Sequence, residues 1–146
     1  MEELLVDGYN IIHSWPVFKK ILPLELARDK LKELMSAYAD TSGVQVVIVF
    51  DGAGEKETIL PGNPKIIFTR RSQSADSYIE KLVYESSQRA KIRVASDDVL
   101  HQQLVFGMGG TCISSKGLED LVGHKLKELR EEISNLNKKF KTTGNR

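Results

Sequence analysis

Five short apolar runs, at residues 4–6, 46–50, 66–68, 92–95 and 111–113, alternate along this chain with stretches of helical periodicity. The runs are rich in β-branched residues and carry little charge, the pattern of strands covered on both faces. Leu24, Ala27, Leu31, Leu34, Met35 and Tyr38 recur at helical spacing, which predicts an amphipathic helix closing near Ser42-Gly43. Ala75, Tyr78, Ile79, Leu82 and Val83 predict another, and a shorter helix is expected over Asp98 to Phe106, ahead of the breaker Gly107-Met108-Gly109-Gly110. The expected order is strand, helix, strand, strand, helix, strand, helix, strand, helix. That alternation leaves few topologies: an α/β fold of three layers, with a mainly parallel central sheet, right-handed crossovers and helices on both faces.

Three of the strand-like runs end in an aspartate: Asp7, Asp51 and Asp97. Parallel strands bring their carboxyl ends to one edge of the sheet, where open α/β folds place ligands. Three carboxylates then share a rim. Two like charges about 4 Å apart cost about 4 kcal/mol at an effective dielectric of 20, so the rim needs a cation, a raised pKa or wider spacing. Each acid also has a plain structural reading. Asp7-Gly8-Tyr9-Asn10 and Asp51-Gly52 read as tight turns after strands, Asp76 as a first-turn acid favoured by a helix dipole, and Asp97-Asp98 as a helix cap. What caps do not explain is convergence.

The single cysteine, Cys112, excludes an intramolecular disulfide and a cysteine-cluster metal site, and His13, His101 and His124 are too scattered for a zinc motif. Hard carboxylate oxygens suit Mg²⁺ or Mn²⁺ instead. Such an ion activates water and neutralises phosphate charge in phosphodiester hydrolysis, with no protein nucleophile. The formal charge of +1 does not itself indicate a nucleic-acid partner. Residues 64–93 nevertheless hold seven basic side chains (Lys65, Arg70, Arg71, Lys81, Arg89, Lys91, Arg93) against Asp76, Glu80 and Glu85, a local net of +4. Arg70 and Arg71 are candidates for phosphate contacts, Lys65 and Lys81 extend the track, and Tyr9 or Trp15 are candidates to stack on an unpaired base. Ordinary solvated arginines and core aromatics are the competing reading for each.

No P-loop is present, and the glycine cluster at 107–110 follows a helix, so it does not fit a dinucleotide fingerprint. An aspartyl phosphotransferase usually needs a second acid two residues after the first, and position 9 is tyrosine. No apolar run reaches the roughly 20 residues that span a bilayer, and the N-terminus lacks the basic start of a secretory signal; the expectation is a cytoplasmic protein with no membrane contact. At 146 residues one domain is expected, over 1–140 with a flexible tail at 141–146. Residues 52–64 form the longest irregular stretch, placed to cover a site beside Asp51. In the last helix Leu118, Val122, Leu126, Leu129, Ile133, Leu136 and Phe140 form one stripe, which either packs along its own domain or offers its later turns to a partner or a second copy.

Taken together, Leu5-Val6-Asp7-Gly8-Tyr9-Asn10-Ile11-Ile12, Val49-Phe50-Asp51-Gly52, Ser74-Ala75-Asp76-Ser77-Tyr78-Ile79-Glu80 and Ala95-Ser96-Asp97 resemble the NYN-domain, YacP-like nucleases, relatives of the PIN-domain ribonucleases. The resemblance implies a PIN-like fold and a metal-dependent endoribonuclease acting on RNA, with roles in mRNA decay and association with the ribosome among its implications. Carried over by position, Asp7, Asp51, Asp76 and Asp97 form the acidic site and Asn10 is the polar residue of its first turn. Asp7, Asp76 and Asp97 are then the expected ligands of Mg²⁺ or Mn²⁺. Family members often carry two acids in the third motif, where this chain has Asp76-Ser77, so the number of metals is open, as is the role of Asp98. The alternative is a non-catalytic RNA- or ribosome-binding module of the same fold.

Overall fold

The computed structural model describes the backbone of residues 1–144 and the side chains of residues 1–140. Six strands form one sheet in the order β3-β4-β2-β1-β5-β6. They are β1 (Glu3–Asp7), β2 (Gln45–Phe50), β3 (Thr58–Leu60), β4 (Lys65–Phe68), β5 (Ile92–Ala95) and β6 (Thr111–Ile113). All neighbours are parallel except β3, which runs antiparallel to β4. Among the described residues five α-helices accompany them: α1 (Gly8–Ser14), α2 (Leu24–Ser42), α3 (Ala75–Glu85), α4 (Val99–Gly107) and α5 (Ser115–Gly144). The mainly parallel α/β sheet with helices on both faces, in one domain, is as expected.

Side-chain alternation sorts the central strands into two cores. Leu4 and Val6 with Val46, Ile48 and Phe50 face α1, α2 and α5, meeting Ile11, Trp15, Leu31, Met35, Leu118 and Val122. Leu5, Val47 and Val49 face the other way, onto Ala75, Ile79 and Val83 of α3 and Val105 of α4. A strand buried on both faces must be apolar at successive positions, which is why these runs do not alternate with polar residues.

Three elements depart from the sequence reading. The segment after Asp7, read as a turn, is the N-terminus of α1, with Asp7 as its cap. Seven residues are too few to display a convincing helical period. Within 52–64, residues Thr58–Leu60 form the edge strand β3, whose three exposed residues include Ile59 and Leu60 but are too few to show a strand pattern between the flanking charged and proline-glycine stretches. At the other end, α5 extends through Gly144, four residues past the expected close at Phe140; residues 145 and 146, the end of the expected flexible tail, lie outside the described residues. Among the described residues no helix is long and apolar enough to cross a membrane.

Candidate metal centre at the acidic rim

Strand register brings the aspartates together. Asp7 pairs with Val49 of β2, and Val6 pairs with Ala95 of β5, so Asp51 and Asp97 emerge just beyond their strands on either side of Asp7. Both Asp-Gly pairs are needed for this close layout. A Cβ on Gly8 would overlap the Phe50 ring, and one on Gly52 would collide with the Thr69 carbonyl. Gly52 N–H donates to Thr69 Oγ1 at 3.2 Å, and Thr69 N–H donates to the Phe50 carbonyl at 3.0 Å, so β4 is knitted to the turn after β2.

Asp51 reaches across this turn: its Oδ1 accepts from Ala75 N–H at 2.7 Å, the first residue of α3. Ser74 caps the same helix by accepting from Ser77 N–H at 3.1 Å. Together they fix the start of α3 and hence Asp76, one residue on. Asp76 in turn meets Asp7. Burial, followed by the charge and hydrogen bonding of Asp76 and the charge of Asp51, pushes the Asp7 carboxyl up to about 6, although Asn10 N–H, donating to Oδ1 at 3.2 Å, opposes the rise. A carboxyl raised in this way holds its proton to higher pH than an ordinary aspartate, and a nearby cation would offset the same cost of charging it.

Among the described residues no three His, Cys, Asp or Glu side chains are grouped closely enough to hold one metal ion. The donor set that the fold does assemble is the Asp7–Asp76 pair. It fits a hard divalent ion, because Mg²⁺ is commonly bound through one or two carboxylates with water and phosphate oxygens completing its shell.

Asp97 is directed to the β6–α5 junction: Oδ1 accepts from Ser115 N–H at 2.8 Å and Oδ2 from the Ser115 hydroxyl. Each carboxylate oxygen has further lone pairs, so this engagement does not exhaust its acceptor capacity. Asp98 caps α4, accepting from Leu100 N–H at 2.9 Å and His101 N–H at 3.3 Å. Asn10 is exposed and serves Asp7 through its backbone N–H.

The basic residues do not form one track. Arg70, at the carboxyl end of β4, shares an open depression with Lys56, Gln73 and Lys81, and Glu55 and Glu57 line it too. Arg71 is a strut: its backbone N–H donates to the Gly54 carbonyl at 2.7 Å and its Nε to the Ala53 carbonyl at 3.0 Å. Lys65 begins β4, three residues before the strand's carboxyl end, roughly 10 Å at 3.3 Å per residue, and so lies away from the rim. Tyr9 packs on Phe50 with ring centroids 4.8 Å apart, and its hydroxyl accepts from Arg28 at 3.1 Å. Trp15 is buried and donates from Nε1 to the Ser115 carbonyl at 2.9 Å, which leaves it no face for a base.

Three residues at the site were not found from sequence. Ser115 holds Asp97, and a lone serine opening a helix gives no signal beyond a cap. Glu80 and His101 form a hydrogen bond of 2.8 Å between α3 and α4. The spacing of Asp76 and Glu80 does put both acids on one helix face, a signal present in the chain.

The family model of the YacP-like NYN domain matches residues 4–146. Protein YacP of Bacillus subtilis (strain 168) is 38% identical over 126 residues, which cover 81% of this chain and 73% of that protein. Two crystal structures of Rae1 (YacP) from Bacillus subtilis share the fold. A tryptophan-to-leucine mutant superposes with a TM-score of 0.79 at 32% identity, covering 93% of this chain and 83% of that one. The other gives 0.78 at 30% identity, covering 97% and 85%. The chain belongs to the YacP-like NYN domain family, a nuclease-type family with a PIN-like fold.

Proposed function

We propose that the protein is a metal-dependent endoribonuclease that hydrolyses RNA phosphodiester bonds, acting in mRNA decay in the cytoplasm with the ribosome as a partner. The observation that carries this reading is the placement of Asp7 at the carboxyl end of the central strand, where burial and the neighbouring charges of Asp76 and Asp51 raise its carboxyl and a cation would offset that cost. Asp7 and Asp76 would hold Mg²⁺ or Mn²⁺, with Asp97 completing the acidic set from the end of β5. When bound, such an ion supplies activated water at neutral pH and offsets charge on the phosphate and the leaving oxygen.

The protein's own part is placement. Asp51 and Ser74 hold the first turn of α3, and Asn10 N–H orients the Asp7 carboxylate. Arg70 lies at the end of β4, two strands from β1, roughly 10 Å at the usual strand spacing, close enough to bind a phosphate of the same RNA segment as the scissile one. Lys56 and Lys81 extend that contact. No 2′-hydroxyl attack is invoked, so preference for RNA would come from groove shape and contacts.

A non-catalytic RNA-binding module is favoured by one observation, that no three-donor metal group is gathered among the described residues. Labelled single-stranded RNA incubated with wild type and Asp76→Asn, with and without Mn²⁺, separates the two. Cleavage by wild type only with Mn²⁺, leaving a 5′-phosphate, and a loss of roughly 100-fold or more in Asp76→Asn are expected, the scale of removing a transition-state charge stabiliser. RNA binding without turnover selects the module. Co-sedimentation with ribosomes tests the partner.

A further inference from the structure

His101 is 4% exposed in α4, where it faces α3. Its Nδ1 lies 2.8 Å from Glu80 Oε1, while Nε2 is buried and has no hydrogen-bond partner among the described residues. For packing alone this is a poor choice of side chain. A buried ring nitrogen stripped of water and left unpaired costs stability that one hydrogen bond recovers only in part. Replacing a buried polar contact with an apolar residue of similar volume is often neutral or stabilising. The position of the pair suggests what it does instead.

Glu80 lies one turn after Asp76 on the same helix face, and His101 lies one turn into the helix that Asp98 caps. The Glu80–His101 bond therefore crosses from α3 to α4 one turn beneath the two helix starts that border the acidic rim. Asp76, in the first turn of α3, is among the neighbours whose charge raises the Asp7 carboxyl, so the two acids share the rim. The Asp51 bond to Ala75 N–H restrains that turn from the β2 side. We propose that Glu80, oriented by His101, is a positioning residue of the acidic site: the pair clamps α3 to α4 so that Asp76 stays against Asp7 and both carboxylates meet one divalent cation. The clamp rests on the metal-dependent reading above.

The test measures Mn²⁺ affinity directly, by the paramagnetic resonance signal of the free ion, together with melting temperature and RNA cleavage. His101→Phe removes the donor and fills the space. It is expected to melt at or above the wild-type temperature and to bind Mn²⁺ roughly 10-fold or more weakly, with cleavage recovering as Mn²⁺ is raised. His101→Asn, whose amide nitrogen can take the place of Nδ1, is expected to restore affinity to within about 3-fold, and Glu80→Ala to repeat the weakening. Unchanged Mn²⁺ affinity in His101→Phe overturns the clamp. Should that variant fail to fold, folded Glu80→Ala decides: weakened affinity supports the clamp, unchanged affinity overturns it. A wild type that binds Mn²⁺ but cleaves no RNA removes the nuclease reading alone and leaves the clamp standing on affinity; one that binds no Mn²⁺ removes both.

Discussion

Asp7 concentrates the electrostatics of this molecule in one side chain. Its carboxyl rises from 3.8 to about 6 on folding, chiefly through burial and secondarily through Asp76. A carboxyl raised by folding binds its proton more tightly in the native state, so its stabilising contribution is complete below pH 3.8 and is lost as pH rises through about 6. At 1.36 kcal/mol per pH unit the whole shift is worth about 3 kcal/mol, and partial exposure and screening reduce the measurable part to about 1–2 kcal/mol. Asp7→Asn, which keeps an oxygen for the Asn10 N–H, should therefore match wild type near pH 3, exceed it by about half that amount at pH 5 and by about the whole of it at pH 8 without divalent ions. Thermal melts at these pH values check this, and equal melting temperatures at pH 8 would remove the repulsion argument. Mn²⁺ at pH 8 should stabilise the wild type and leave Asp7→Asn behind, since only the form that binds the ion gains from mass action. That Asp7 and Asp51 share one sheet edge was legible in the sequence, because parallel strands bring their carboxyl ends together. Asp76 was placed with Asp7 by the family motif alone and not by strand pattern, because it arrives from a helix whose start is set by Asp51, across 24 residues of chain.

Elements meet the rim through short fastenings that sequence periodicity cannot show. The turn after β2 lies so close to β4 that position 52 has no room for a side chain, because the Thr69 carbonyl occupies the space. Gly52→Ala should displace that turn and cost about 1–3 kcal/mol, the range of overpacking a close contact. It should also loosen the Asp51 hold on α3, lowering Mn²⁺ affinity beyond what global stability explains. Urea unfolding and Mn²⁺ titration read the two effects separately. An alanine variant with wild-type stability would mean that the turn accommodates a Cβ at no cost. The Asp-Gly pairs were visible as turns; their reason was not, since it lies in the Phe50 ring and the Thr69 carbonyl, neither of them local to both glycines. The long periodic helices α2 and α3 were readable from their apolar spacing, and α2 ends at Gly43 in the left-handed conformation that favours glycine. By contrast α1 and β3 are short and take their shape from what they pack or pair with, Asp7 as a cap in one case and β4 as a ladder in the other.

The whole molecule is a sheet with two unequal covers, and α5 belongs to the heavier one. Its first turns are core: Leu118 and Val122 are buried, and Leu126 packs against the same cluster. Ser115, its first residue, ties Asp97 to the rim, and the Ser115 carbonyl accepts from buried Trp15. Further along the same stripe Ile133, Leu136 and Phe140 are 48%, 54% and 72% exposed. Thirty residues at 1.5 Å each make a helix of about 45 Å, roughly twice the width of a six-stranded sheet, so its far half extends beyond the core it caps. A cut after residue 120 would remove Val122 and Leu126 from the core. Ending the chain after Leu129 avoids this. That shortened protein should keep its fold, lose at most about 1 kcal/mol of stability and retain the Mn²⁺ affinity of the full chain, because the side chains described among those it drops, at 130–140, are exposed. Ending the chain after Gly117 removes Leu118 and Val122, each worth about 1.5–3 kcal/mol of burial, and a domain with 5–15 kcal/mol in hand should then be unfolded or partly so at 37 °C. Circular dichroism melts of the two truncations, with Mn²⁺ titration of the longer one, check the division. A longer truncation that loses Mn²⁺ binding while still folded would tie the far half of α5 to the acidic rim.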